Sequence, residues 1–155
     1  MIENGDRAPG FVLPEAPGSM VDVGERIGQR PVVLLFFPLA YSGVCTTEMC
    51  KIRDDWSGWG ELDADVYAIS VDSPFVTQKW RADLNLPFPV LADFNKDVIR
   101  QYGVVHEDLM GLKGIAKRSV FVIARDGSVV YKWVSEDPGV EPDYAAVKGA
   151  LQSDS

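Results

Sequence analysis

The stretch VVLLFFPLAYSGVCTTEMCKIRDDW, residues 32–56, decides the fold. Val32 to Phe37 is an unbroken apolar run, the pattern of a strand buried on both faces. Pro38 closes it. Ser42 then reads as an N-cap, with Gly43 allowing a tight turn after the strand, and a helix follows from about Val44 to Trp56. Cys45 stands in the first turn of that helix and Cys50 five residues later.

Outward from this unit the chain repeats the alternation. GDRAPGFVLPEAPGSMVDV, upstream, is rich in Gly and Pro and reads as a short β-hairpin. Downstream, Asp65 to Val71 is a second buried strand. Val76, Trp80 and Leu84, four apart, suit one face of a helix. FPVLAD is a brief strand. NKDVIRQYG is a short helix, with Asn95 as N-cap and Gly103 as terminator. RSVFVIARDGSVVYKWV holds two apolar runs around Arg125-Asp126-Gly127, a hairpin signature, and a last helix covers about Asp143 to Leu151. Strands separated by helices imply parallel pairing with helices on both faces, and the late hairpin adds antiparallel strands. The expected class is α/β: a mixed central sheet flanked by helices, thioredoxin-like in order, with an N-terminal β-hairpin.

Composition bounds the function. The 155 residues are 46% hydrophobic and 25% charged, enough for one packed core, and no repeat or linker marks a boundary, so residues 1–155 are expected to form one domain. No segment approaches the roughly 18 apolar residues of a membrane span, and the N-terminus has no basic stretch ahead of an apolar run. A cytoplasmic protein without a membrane partner is the expectation. Net charge of −8 argues against nucleic acid. Two cysteines are too few for a secreted disulfide scaffold; in a reducing compartment such a pair is catalytic or metal-binding. Trp56, Trp59, Trp80 and Trp133 read as core or dimer contacts, and no Gly-rich phosphate loop appears.

The position of Cys45 carries chemistry. First-turn amides are unpaired and form the positive end of the helix dipole, so a thiolate there is stabilised below the free-cysteine value of about 8.5. The apolar neighbours Phe36, Phe37 and Tyr41 oppose this by desolvation. A cation would settle the contest, and Arg118, just ahead of SVFVI, is the candidate if that strand starts beside the start of this helix. Taken singly, Cys45 reads as a small core residue, Ser42 as a plain cap and Arg118 as half of a surface ion pair. Cys50 adds a geometric constraint. Five helical steps put the two Cα atoms roughly 9 Å apart, beyond the reach of about 7 Å for a disulfide. Either Cys50 is an inert packed thiol or its helical turn unwinds during a redox cycle.

PLAYSGVCTTEMCKIRD resembles the active-site segment of the peroxiredoxins, the thiol-dependent peroxidases. The family motif of a proline, three residues, a Thr or Ser, two residues and the peroxidatic cysteine falls on Pro38, Ser42 and Cys45. GDRAPGFVLP is similar to the family's opening, and GIAKRSVFVIARDGSVVY to its strand with the active-site arginine, which falls on Arg118. FFPLAYSGVC is most similar to the alkyl hydroperoxide reductase E (AhpE) type, whereas a second cysteine five residues on resembles the peroxiredoxin Q (bacterioferritin comigratory protein) type.

The resemblance implies a peroxidase acting on hydrogen peroxide and organic hydroperoxides. Cys45 would pass through a sulfenic acid, with Cys50 closing an intramolecular disulfide for a thioredoxin-like or low-molecular-weight thiol to reduce. One-cysteine turnover with an external thiol is the alternative. Arg118, the Ser42 hydroxyl and the Cys45 amide would hold the peroxide oxygens, and Pro38 would shield the thiolate. Glu48 would orient the arginine; by itself it reads as a solvated helix carboxylate. Ser42 stands where the family more often has threonine. No metal or organic cofactor is implied, and a homodimer is. A peroxide-sensing relay needs the same Cys45 chemistry. A metal module has only His106 to add to two thiols, and a disulfide reductase lacks its C-x-x-C.

Overall fold

The computed structural model describes residues 2–153. Its elements are β1 (Val12–Ala16), β2 (Ser19–Asp22), a 3-10 turn (Val23–Glu25), β3 (Val32–Phe36), α1 (Gly43–Asp54), α2 (Trp56–Gly60), β4 (Asp65–Ser70), α3 (Pro74–Leu84), β5 (Val90–Ala92) and α4 (Asp97–Tyr102). These are followed by β6 (Val105–His106), β7 (Ile115–Ala116), β8 (Ser119–Ile123), β9 (Val129–Val134) and α5 (Tyr144–Ser153). The main sheet has the order β5-β4-β3-β8-β9; β3, β4 and β5 are parallel, while β8 lies antiparallel to β3 and β9 to β8. This is the expected mixed sheet, and the expected N-terminal hairpin is β1-β2.

The apolar run places β3 at the centre because both of its faces need cover. Val33, Leu35 and Phe37 pack into one layer with Cys45, Met49 and Ile52 of α1, Trp80 of α3 and Val147 of α5. Val32, Leu34 and Phe36 pack into the other with Phe11, Leu13, Val23 and Val98, Ile99 and Tyr102 of α4. Side chains two apart share a face, so one uninterrupted run feeds both cores. Trp59 and Trp80 are buried in the α1 layer, and Trp56 and Trp133 pack against it.

Three details differ from the sequence reading. The helix expected to reach Trp56 breaks at Asp55, whose backbone (φ −108, ψ 26) leaves α1 and starts α2. Asn95 does not cap α4. Lys96 holds the N-cap place in a left-handed conformation, and the buried Asp93 accepts from the amides of Val98 (3.3 Å) and Ile99 (2.8 Å) instead. Capping needs an oxygen aimed at the amides, and the end of β5 aims Asp93 there. The two-stranded β6-β7 ribbon was not foreseen; it holds out the loop 107–114. Gly103 ends α4 as expected, at φ 70, and Gly127 turns the β8-β9 hairpin at φ 94.

Candidate active site

Sheet register brings the site together. Phe36 pairs with Ser119, so Arg118, one residue earlier, stands where β3 gives way to the turn into α1. That turn is pinned by two carboxylates. The Ala40 amide donates to Asp72 Oδ2 (2.7 Å), which also accepts from the Ser70 hydroxyl (2.7 Å). The Tyr41 hydroxyl donates to Asp83 Oδ2 (2.7 Å), and its ring lies 6.4 Å from that of Trp80. Tyr41, at φ 68, makes the tight turn expected at Gly43; Gly43 is instead the first residue of α1. A non-glycine residue in this region is strained and needs such fixing.

Ser42 is the N-cap of α1, but its hydroxyl donates to the Leu39 carbonyl (2.9 Å) and caps no amide. The first intrahelical bond runs from the Thr46 amide to the Ser42 carbonyl (3.0 Å). The amides of Gly43, Val44 and Cys45 therefore precede the helical ladder and face the turn. Pro38 is buried at the end of β3.

Cys45 is buried, and Arg118 Nη2 donates to its Sγ at 3.1 Å. Nη1 of the same guanidinium donates to Glu48 Oε1 at 2.6 Å, and Nε and Nη2 both donate to the Pro138 carbonyl at 3.1 and 3.0 Å. Arg118 is 1% exposed and Glu48 0%. The planar fork thus ties together a sulfur, a carboxylate and a backbone carbonyl, which a single ammonium cannot do. Glu48 is no solvated carboxylate. Burial pushes its carboxyl up to about 7, with Arg118 pulling against the rise. Burial works against the charge of Arg118, and Glu48 and Cys45 together outweigh it, so the guanidinium is held above its ordinary value.

Cys50 is half-buried in the same unbroken helix, and both thiols are free. With α1 intact the separation of roughly 9 Å stands and the two sulfurs do not meet. Arg53 lies within electrostatic reach of Cys50.

Over Arg118 opens a cavity of about 310 Å³. Pro38, Leu39, Ser42 and Val44 form one side, and Leu109, Met110, Leu112 and Ile115 from the loop on the β6-β7 ribbon form the other. Met110, 85% exposed, stands at its rim. Sequence reasoning missed this wall; the signal was three large apolar residues in the otherwise polar EDLMGLKG. It also missed the Pro138 carbonyl, which no side-chain pattern marks. A larger groove of about 610 Å³, between β1 and the starts of α3 and α4, contains neither cysteine nor arginine and is remote from this chemistry.

A thiol in the first turn of a helix, bonded to a buried arginine that is itself held by a glutamate, on a thioredoxin-like sheet, defines a thiol-dependent peroxidase. Comparison with known proteins agrees. The model of the AhpC/TSA family matches residues 4–132. The chain is 37% identical over 135 residues to the putative peroxiredoxin bcp of Coxiella burnetii, covering 85% of this chain and 88% of that protein. It is 34% identical over 153 residues to alkyl hydroperoxide reductase E of Mycobacterium tuberculosis, covering 97% of each. Among solved structures, peroxidoxin BcpB of Mycobacterium tuberculosis superposes with a TM-score of 0.86 at 29% identity over 99% of this chain and 98% of that one. A peroxiredoxin-like protein from Aquifex aeolicus gives 0.87 at 28% identity over 98% and 87%. The chain belongs to the AhpC/TSA family and is a peroxiredoxin. No helix among the described residues is long and apolar enough to cross a membrane.

Proposed function

We propose that Cys45 reduces hydrogen peroxide and organic hydroperoxides, and that Cys50 then closes a disulfide with it. The observation that carries this reading is the Arg118 fork, with Nη2 on Cys45 Sγ at 3.1 Å and Nη1 on Glu48. The Cys45 thiolate attacks the terminal peroxide oxygen, an S–O bond forms and the O–O bond breaks. The departing oxygen takes a proton and leaves as water or an alcohol, with Cys45 as the sulfenic acid. Arg118 and the first-turn amides are the donors available to the charge moving between these oxygens, and the Ser42 hydroxyl joins them when it turns from the Leu39 carbonyl to the peroxide. Pro38, without an N–H, keeps water from the sulfur. The apolar wall of Leu109, Met110, Leu112 and Ile115 suits a hydroperoxide with a hydrocarbon group.

Cys50 then attacks the sulfenic sulfur, releasing water and forming the disulfide once α1 has unwound between the two residues. A thioredoxin-like or small thiol returns both cysteines to the reduced state. The reducing setting that two free thiols suit is the cytoplasm, and the single-domain reading of the chain belongs to the same proposal. The unbroken α1 favours the second reading, in which Cys50 stays packed and an external thiol reduces Cys45 directly.

Intact mass after one equivalent of hydrogen peroxide, without reductant, separates the two. Loss of two hydrogens from the wild type, with gain of oxygen by Cys50→Ser, supports the disulfide. Gain of oxygen by the wild type supports the external thiol, and no change in either refutes the peroxidase reading.

A further inference from the structure

The Arg118 site holds two buried acids and one cation. Cys45 and Glu48, three residues apart on α1, both take a hydrogen bond from the same guanidinium. If both were ionised, the buried cluster would carry a net negative charge, with no second cation among the described residues acting on Glu48 to balance it. The groups facing Glu48 from the neighbouring elements confirm the shortage. Arg118 approaches from the start of β8. Glu141, just ahead of α5, adds further negative charge beside Glu48, and Tyr144, the first residue of α5, lies within reach of the Glu48 charge. Lys51 is tied to Glu141 at 3.0 Å, and Tyr144 donates to Glu141 at 2.7 Å, so neither is turned to Glu48. Glu48 Oε2 is buried and receives no hydrogen bond from any described group. An unsatisfied oxygen costs far more on a buried carboxylate than on a neutral acid.

We infer that Glu48 is the proton store of the reaction, holding the proton that Cys45 gives up so that the buried site carries one negative charge at a time. In the resting exchange the Cys45 S–H bond breaks and a Glu48 O–H bond forms, with no net proton leaving the site. After the thiolate has opened the O–O bond, the departing oxygen gains a proton and Glu48 gives one up. Thiolate, acid and guanidinium before the step, and sulfenic acid, carboxylate and guanidinium after it, both sum to zero charge. Two acids that share a partner in this way titrate as a pair. Glu48 acts here through Arg118, as a positioning and proton-holding residue. The inference rests on Cys45 being the attacking thiol.

The test uses reduced protein without peroxide. Thiolate absorbance is followed against pH in wild type and Glu48→Gln, which keeps an acceptor for Arg118 but holds no exchangeable acid proton. The expected result is a broad rise in wild type and a single steeper rise in the variant, with its midpoint lower by about one pH unit, since one competing negative charge has gone. Infrared spectra supply an arm independent of how the Gln variant folds. The protonated-carboxyl band of Glu48 persists to neutral pH in wild type and is lost at lower pH in Cys45→Ser. Coincident thiolate curves, or a carboxyl band absent at neutral pH or unmoved in Cys45→Ser, overturn the proton store; a merely structural glutamate, ionised throughout, would shift the thiolate curve by its charge but show no protonated-carboxyl band at neutral pH. Peroxide consumption by wild type is measured separately, so shifted curves without turnover would instead refute the peroxidase reading.

Discussion

Replacing Arg118 by lysine keeps the charge and removes the fork. In the structure the guanidinium makes its four hydrogen bonds in one plane, to Cys45, Glu48 and twice to the Pro138 carbonyl. A lysine ammonium reaching this position is a single point of charge that cannot serve Glu48, the sulfur and the Pro138 carbonyl together, and the reacting oxygens lose their oriented donor. Removal of one such transition-state donor costs on the order of 10²–10³ in rate, roughly 3–4 kcal/mol of barrier. Stability falls by only about 1–2 kcal/mol, because Glu48 keeps a cation and the loss is that of ordinary hydrogen bonds. Trp80 supplies the assay. Its ring packs 4.9 Å from that of Phe37 in the core layer that also holds Cys45, so the change in tryptophan fluorescence in stopped flow is the readout to follow on oxidation of Cys45. A lysine variant within about five-fold of wild type in its second-order rate, with its melting midpoint intact, would refute the argument that the fork carries the chemistry.

Further outcomes follow from the same geometry. Leu112→Asn places an amide in the apolar wall of the cavity; kcat/KM for cumene hydroperoxide falls roughly three- to ten-fold, while that for hydrogen peroxide, which has no hydrocarbon group, stays unchanged. Tyr41→Phe removes the bond to Asp83 and loosens the turn before α1, so Cys45 alkylation by iodoacetamide quickens about five-fold; an unaltered rate would show that Asp72 alone holds the turn. Asp93→Ala takes away both amide acceptors at the start of α4, and urea unfolding should register a loss of about 2 kcal/mol. Glu48 also gives stability a pH slope. Its carboxyl rises from 4.5 to about 7 on folding, with burial as the cause. The native state therefore binds the extra proton between those values, and stability declines as pH rises through that window, by up to about 3 kcal/mol. Urea titrations of wild type at about pH 5 and about pH 8 should differ in this direction, and Glu48→Gln should lack this decline.

Much of this architecture was readable because it depends on local pattern. The VVLLFF run could only be a strand covered on both sides, and the hairpin turn at Asp126-Gly127 returned β9 to the edge of β8 as its residues indicate. Arg118 was legible as a candidate from its place just ahead of an apolar strand; that this strand pairs antiparallel with β3, and so begins where β3 ends, is what the fold adds. Partners contributed by backbone or by distant loops were not legible. The Pro138 carbonyl has no identity in a sequence, and Asp72, Asp83 and Asp93 look like any exposed acid until the fold aims them at amides or hydroxyls. Asn95 misled because capping propensity is a statement about residue types, while the cap itself goes to whichever oxygen the fold places over the amides. Glu48 was ambiguous for a related reason, since a helix position one turn past Cys45 faces solvent or core according to where α1 is set down.

The two proposed stages of turnover make opposite demands on α1. Peroxide cleavage needs the first turn formed, because the dipole, the free amides and the Arg118 contact all exist only with Cys45 in helical register. Disulfide closure needs that register lost, because the helix itself keeps Cys45 and Cys50 apart. The contacts that fix the turn before α1, Ala40 to Asp72 and Tyr41 to Asp83, therefore favour the first stage and oppose the second. Once Cys45 is a neutral sulfenic acid its hold on Arg118 weakens, while Glu48, then ionised, can keep the guanidinium in place. The arginine does not have to leave for the cysteine to leave. A buried glutamate beside the arginine thus reconciles the two demands: it lets the anchor stay set while the attacking residue unwinds away from it, and it lets the same anchor receive Cys45 again when a thiol has reduced the bond.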